Sequence, residues 1–425
     1  MLPFGDERAA IGGHMRVRFA ARRVVAGIFV LLGAASAAAQ DAAIPGPNMR
    51  ATLEAIGAAA GSPPLSDALA SGTILEIASA PLSTGASGLT FVYDPTLGTY
   101  TRLADTFGPA FAQRALTSGR GKFTAGVSWN YVKFDEIAGE DVEGFVPFTS
   151  NGFVNVVPTR VDLGLKIRTS TVSLFGTVGL TNRIDVGVIL PITSVSLESD
   201  LAQTFVVGAA RTASSDQSAT GLSDMLLQGK IQLWHSEKTA GTSAAPAVAV
   251  AAVAGVRLPT GSEEDLRGLG FARTKVSGVF SLHASRFAAH ANVGYEFWAD
   301  QLSFSRDLLE TTFAETDGLF EINLAAEVAL TPRITANLDF LMQEIRGAGK
   351  LGVDTLTIAP FPGFPGLTAQ SLVGLDEGLL KTTLAPGVRW NLGGNALLNV
   401  HVLLSMKNDG LRAKVTPVIG LDYTF

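Results

Sequence analysis

Residues 415–425 alternate one by one, and the chain stops at the end of that run. Val415, Pro417, Ile419, Leu421, Tyr423 and Phe425 fall on one side of an extended strand, and Thr416, Val418, Gly420, Asp422 and Thr424 on the other. Successive side chains of a strand point to opposite faces, so one face here is apolar and the other polar. The same period recurs in eleven earlier segments: 123–131, 159–181, 184–190, 225–233, 248–258, 275–284, 288–298, 319–330, 333–343, 380–392 and 396–406. In 288–298, for example, Ala289, Ala291, Val293, Tyr295 and Phe297 oppose His290, Asn292 and Glu296. A period of two sustained this far excludes helical architectures.

One segment departs from the rule. In 159–181 the apolar residues begin on odd positions (Val161, Leu163, Leu165, Ile167) and end on even ones (Val172, Leu174, Val178, Leu180). An extra residue in a strand swaps its faces, so the pattern predicts a bulge at Arg168–Thr171. A hairpin there would make thirteen strands and leave the two ends on opposite sides of the sheet. One bulged strand makes twelve. The turns alternate in length as well. Thr181-Asn182-Arg183, Ser285-Arg286-Phe287, Thr331-Pro332-Arg333 and Gly393-Gly394-Asn395 are tight, whereas 135–158, 193–221, 259–272, 299–317 and 345–379 are long.

What the apolar face touches decides the fold class. A soluble chain carries about 25% charged residues; this one carries 16%, with a mean hydropathy of +0.30. The apolar faces carry no charge, as lipid contact demands, since Arg or Lys directed at the bilayer midplane costs ~2–4 kcal/mol. Aromatic residues (Trp129, Tyr131, Tyr295, Phe297, Trp390, Tyr423, Phe425) gather at strand ends, where membrane interfaces lie. Short turns on one rim and long loops on the other complete the pattern. The expectation is an all-β fold: a transmembrane antiparallel up-and-down β-barrel of 12 strands, with 14 as the alternative, in the outer membrane of a Gram-negative bacterium.

The N-terminus fits export. Arg16, Arg18, Arg22 and Arg23 precede an apolar run, Val24 to Ala39, that is too short to span a bilayer. Residues 1–39 therefore read as a signal peptide, with Met15 as an alternative start. Residues 40–121 form an N-terminal plug or periplasmic segment, and 122–425 the barrel. A hairpin of 88–93 with 99–103 would supply the alternative two strands, but both pieces fall short of the ~9–11 residues needed to cross. The absence of cysteine excludes a lipid anchor, disulfides and thiolate metal sites. The terminal Tyr423 and Phe425 read as an assembly signal for the barrel-assembly machinery. Outer-membrane lipid and lipopolysaccharide are the expected surroundings. With a net charge of −6 and no basic block, nucleic acid is not an expected partner.

The polar faces point into the lumen. Arg160, Lys166, Arg168, Lys230, Glu296, Glu321, Glu327, Asp339 and Arg389 are its candidate lining, with inward cations and anions in balance. That balance argues against strong ion selectivity. The residues either pair across the lumen or line a solute path. Phe361 and Phe364, in the Pro- and Gly-rich run 360–367, are candidates for ligand capture in an outer loop. Glu263-Glu264-Asp265 is either a solvated cluster or a divalent-cation site. His235, His283, His290 and His401 lack metal-ligand spacing. Catalytic motifs are lacking too, so neither cofactor, metal nor enzymatic chemistry is expected.

Three stretches resemble one family. Residues 179–192 (GLTNRIDVGVILPI), 221–230 (GLSDMLLQGK) and 255–262 (GVRLPTGS) look like the outer-membrane family named for the meta-pathway of phenol degradation. The resemblance covers roughly residues 105–425; Gly221-Leu-Ser-Asp departs from the family's expected Gly-Leu-Gly-Asp. It implies a transporter barrel distantly akin to fatty-acid and aromatic-hydrocarbon uptake barrels, taking up small hydrophobic or aromatic compounds passively or by facilitation. The alternative is a structural or adhesive barrel acting through its extracellular loops.

Overall fold

The computed structural model describes residues 46–59, 63–83, 91–94, 99–102, 105–137, 139–141, 146–150, 159–205, 211–236, 247–305, 313–347, 350–360 and 367–425. Residues 1–39, expected as a signal peptide, and Phe361 and Phe364 lie outside them. Twelve strands carry the alternating pattern: β1 (Phe123–Phe134), β2 (Thr159–Gly179), β3 (Ile184–Phe205), β4 (Met225–His235), β5 (Ala247–Leu258) and β6 (Arg273–Ala284). They continue through β7 (Phe287–Ser305), β8 (Phe313–Thr331), β9 (Ile334–Arg346), β10 (Leu379–Gly393), β11 (Ala396–Ser405) and β12 (Val415–Thr424). Each pairs antiparallel with its sequence neighbours, and β12 closes the ring on β1. The hairpin of Phe91–Asp94 with Thr99–Arg102 is a separate two-stranded sheet, so twelve strands stand and the alternative of fourteen falls.

The predicted bulge in β2 is absent. Its register against β1 runs unbroken from Phe123↔Val178 to Phe134↔Ile167, and against β3 from Thr159↔Phe205 to Gly179↔Asp185. Odd-numbered residues face inward all along: Leu163, Leu165 and Ile167 as much as Thr169, Ser173 and Thr177. The side chains keep their faces; their surroundings change. A strand of 21 residues outruns the membrane. Above about Arg168 its outer face meets water and its inner face meets an apolar core.

That core fills the extracellular end of the barrel. Helices α1 (Met49–Ala59) and α2 (Pro63–Ala78) sit there, α1 capped by the Asn48 side chain accepting the Ala51 amide at 2.8 Å. Met49, Leu53, Ile56, Leu69, Ile74 and Leu75 pack with Leu165, Ile167, Val195, Leu197, Leu269 and Phe304, all buried. The long predicted loops are partly strand. Arg211–Leu222 pairs with the upper half of β3 and is the upward continuation of β4, broken at Ser223–Asp224. Lys350–Ile358 and Leu367–Leu375 form a hairpin over the helices.

The exterior has two aromatic rows. Phe123, Tyr423, Phe425, Phe287, Trp234 and Trp390 ring the short-turn rim, and Trp129, Tyr131, Tyr295 and Phe297 ring the other. Along β7 the rows are eight to ten residues apart, roughly 20–25 Å on a tilted strand. Between them, no charged side chain points outward among the described residues. The short-turn rim is therefore periplasmic.

Candidate functional site: the plugged lumen

From α2 the chain descends through the bore at 79–83, and residues 105–118 then cross it near the periplasmic rim before turning into β1. This crossing has no regular structure, so its backbone N–H and C=O groups need partners elsewhere. The inward faces of the strands supply them. Glu327 on β8 accepts the Gly108 amide at 2.8 Å. Asp339 on β9 accepts three, from Ala110 (3.2 Å), Phe111 (3.4 Å) and Ala112 (3.1 Å). Asn292 on β7 accepts from Gln113 N (2.6 Å) and donates to its carbonyl (2.9 Å). Ser281 on β6 accepts from Ala115 (2.9 Å), and Asp185 on β3 from Ser118 (2.9 Å). Carbonyls are met by cations: Arg389 on β10 donates to Phe107 O (2.8 Å), and Lys230 on β4 to Leu116 O (2.8 Å) and Arg114 O (3.3 Å). Gly179 allows the exit, because a Cβ there would lie 2.0 Å from the Gly119 carbonyl oxygen.

Six of the nine lining candidates thus face the lumen. Lys230, Glu327, Asp339 and Arg389 grip the plug rather than partners across an open bore. Glu296 and Glu321 belong to a second group higher up. There Arg273 bridges Asp224 (3.1 Å) and Glu296 (3.2 Å), Arg257 approaches Glu296 (3.4 Å), and Lys275 pairs with Glu321. Lys166 and Arg168 are corrections. They sit at even positions of β2, outside the barrel above the membrane, where both pair with Glu198 at 3.4 and 2.7 Å. The supposed bulge had turned them inward. Arg160's side chain lies outside the described residues.

Several lumen residues escaped sequence reading. Arg273 shares the parity of Lys275 and was missed because the strand starts two residues earlier than its apolar pattern. His290 sits between Ser281 (Oγ to Nδ1, 2.7 Å) and Glu327 (Nε2 to Oε1, 2.7 Å), joining the anchors of Ala115 and Gly108 into one buried relay. His283 packs edge-on against it at 5.3 Å between ring centroids. Glu263 and Asp265 are occupied by Arg50 and Arg267, so part of that acidic cluster fastens α1 and its own loop.

Between the helices above and the crossing below, space remains around Pro81 and Leu82. One space opens toward β4–β9, lined by Phe111, Leu226 and Leu341 with Gln228, Asn323 and the charged Arg257, Lys275 and Glu321. A second space of about 620 Å³ lies toward β10–β12 and β1, among Val132, Phe134, Leu403 and Val418, with Lys381 and Glu76 at its top. One wall is a charged and amide ladder; the facing wall is largely apolar. Glu76, on α2, meets Lys381 at 2.5 Å, and burial raises its pKa above the usual carboxylate value despite that partner.

A closed barrel with a charge-free outer band, aromatic rims and its own N-terminal segment folded into the bore has the architecture of an outer-membrane β-barrel. The family model described as "Putative MetA-pathway of phenol degradation" matches residues 147–355, which hold eight of the twelve strands. Through this stretch the chain is similar to that family; the match is narrower than the 105–425 the motifs implied. No curated protein matches. Among solved structures, an outer membrane channel from Pseudomonas putida F1 is similar over 73% of this chain and 98% of its own, at 10% identity and a TM-score of 0.45. The Ralstonia pickettii toluene transporter TbuX aligns over 82% and 99% (11%, TM-score 0.34), and the P. putida toluene transporter TodX over 74% and 98% (8%, TM-score 0.30).

Proposed function

We propose that this barrel carries small, largely apolar aromatic compounds passively across the outer membrane, and that residues 105–118 must shift for passage. One observation carries the reading: a cavity lies inside the barrel among apolar, amide-bearing and charged side chains, with Phe111 and Gln113 of the chain's own crossing segment in its lining. The family description, which names a phenol-degrading pathway, supports the aromatic class. Nothing in this reading makes or breaks a covalent bond. Ser281, His290 and Glu327 follow the order of a hydrolytic triad, but the Ser281 oxygen is buried and occupied by the Ala115 amide, which supports an anchoring role. The reading also takes residues 1–39 as the export leader, 40–121 as the plug, Tyr423 and Phe425 as the signal to the assembly machinery, and lipopolysaccharide around the outer rim. The test is the entry of an aromatic such as toluene into vesicles with a lipopolysaccharide leaflet. Faster entry with the protein is expected, and equal rates with and without it would remove the proposal.

A further inference from the structure

The two rims differ in charge. The extracellular rim carries Glu263, Glu264, Asp265, Asp300, Glu315, Asp317, Glu344, Asp376 and Glu377. The described residues of the periplasmic rim (119–122, 180–183, 235–236, 285–286, 331–333 and 393–395) include no Asp or Glu, but they hold Arg120, Lys122, Arg183, Arg286 and Arg333. Arg183, Arg286 and Arg333 are exposed, one on each of three turns, and the Arg286 guanidinium also donates to the Ala329 and Leu330 carbonyls at 3.1 and 2.9 Å.

Their backbones are pinned to the next strand: Arg183 O accepts Gln232 N, Arg286 O accepts Ala329 N, and Arg333 O accepts Asn391 N, each at 2.8 Å. Each arginine therefore stands just below an outward apolar or aromatic residue at the edge of the lipid-facing band: Leu233 and Trp234, Leu330, and Trp390, all about half exposed. A guanidinium just beyond an aromatic girdle lies at headgroup depth, where long cationic side chains reach phosphates.

From this we infer that the periplasmic rim is a binding surface for anionic phospholipid headgroups of the inner leaflet, with Arg183, Arg286 and Arg333 as its cations. Continuity with the lipid-facing band favours lipid over an acidic protein, because a protein partner would have to exclude lipid from that edge. Near an anionic surface each cation contributes on the order of a fivefold preference.

The tryptophans beside Arg183 and Arg333 provide the readout. The full-length mature protein, carrying Trp129→Phe and Trp298→Phe to silence the opposite end, is reconstituted in mixtures containing brominated phosphatidylglycerol or brominated phosphatidylcholine at equal mole fraction. Phosphatidylglycerol is expected to quench Trp234 and Trp390 with roughly tenfold higher apparent affinity. Substituting Arg183→Gln, Arg286→Gln and Arg333→Gln together should bring the ratio to about one, as should high salt, which shortens electrostatic range. Heat-modifiable gel migration checks that the variant keeps its barrel. Equal quenching by the two lipids in the Arg-bearing protein overturns the inference, as does a preference that survives the triple substitution. So does selective capture of acidic periplasmic protein without any lipid preference.

Discussion

The two ends of the bore are filled by the same N-terminal segment but held with different weights of apolar packing and hydrogen bonding. At the extracellular end, α1 and α2 are buried by apolar packing: Leu53, Ile56, Ile74 and Leu75 against Leu165, Ile167, Leu197 and Phe304. At the periplasmic end, 105–118 adds to the buried contacts of Phe107, Phe111 and Leu116 a dense set of hydrogen bonds to Glu327, Asp339, Asn292, Ser281 and Asp185. Water substitutes for hydrogen-bond partners, so each such contact nets only about 1 kcal/mol, more when charged. Apolar burial has no such substitute and is worth ~1.5–3 kcal/mol for each large side chain. On the proposed reading the hydrogen-bonded crossing is the gate that shifts and the helices are the cap, so opening starts at the lower end.

The largest effect should follow an attack on the cap. Leu75→Asp buries an unpaired charge and should cost on the order of 5 kcal/mol of cap docking, read as rapid proteolysis between 46 and 83 with the barrel intact. Next comes the gate. Asp339→Ala strands three amide donors, worth roughly 3 kcal/mol together, and should raise aromatic flux and expose Arg114 to trypsin while the cap stays protected. If Asp339→Ala loosened the cap as well, the two regions would not be separable.

A smaller change is expected from the relay. His290→Ala removes the partner joining Ser281 to Glu327 and should lower protection of 108–115 by about 1–2 kcal/mol; esterase activity should be nil both with and without that substitution. The acid dependence of the cap has a definite sign. Burial raises the pKa of both Glu76 and Asp67 above their ordinary values of 4.5 and 3.8. Groups with folded pKa values above the unfolded ones contribute fully below the unfolded values, and lose that contribution as pH rises through the folded ones. The cap should therefore resist proteolysis better at pH 5 than at pH 8, and Glu76→Gln should flatten part of that difference. The smallest effect belongs to Lys166→Gln and Arg168→Gln: these residues lie outside the barrel, so flux should not change, whereas a lumen position would alter it.

How far the sequence could be read follows from what constrains each residue. Lipid contact forbids outward charge, so the strand faces of β1 and β4–β12 and the count of twelve were legible. β2 misled, and the upper part of β3 passed for a loop, because both rise beyond the bilayer, where water and an apolar core exchange the chemistry of the two faces without any change of geometry. Lys166 and Arg168 were misplaced for that reason alone. The gate was legible only in outline. An inward Asp339 or Lys230 announces a need for partners, but the partners are backbone groups of 107–118, and a peptide N–H leaves no mark in the sequence. The Ser281–His290–Glu327 relay depends on registers between β6, β7 and β8 that alternation alone does not fix to the residue.

Amide hydrogen exchange on the intact protein tests the gate most directly. If the lumen wall holds the crossing, the amides of Gly108, Ala110, Phe111, Ala112, Gln113, Ala115 and Ser118 should exchange many times more slowly than in a free peptide, and Asp339→Ala should selectively release those of 110–112. Free-peptide exchange throughout 108–118 beside protected strands would contradict the account.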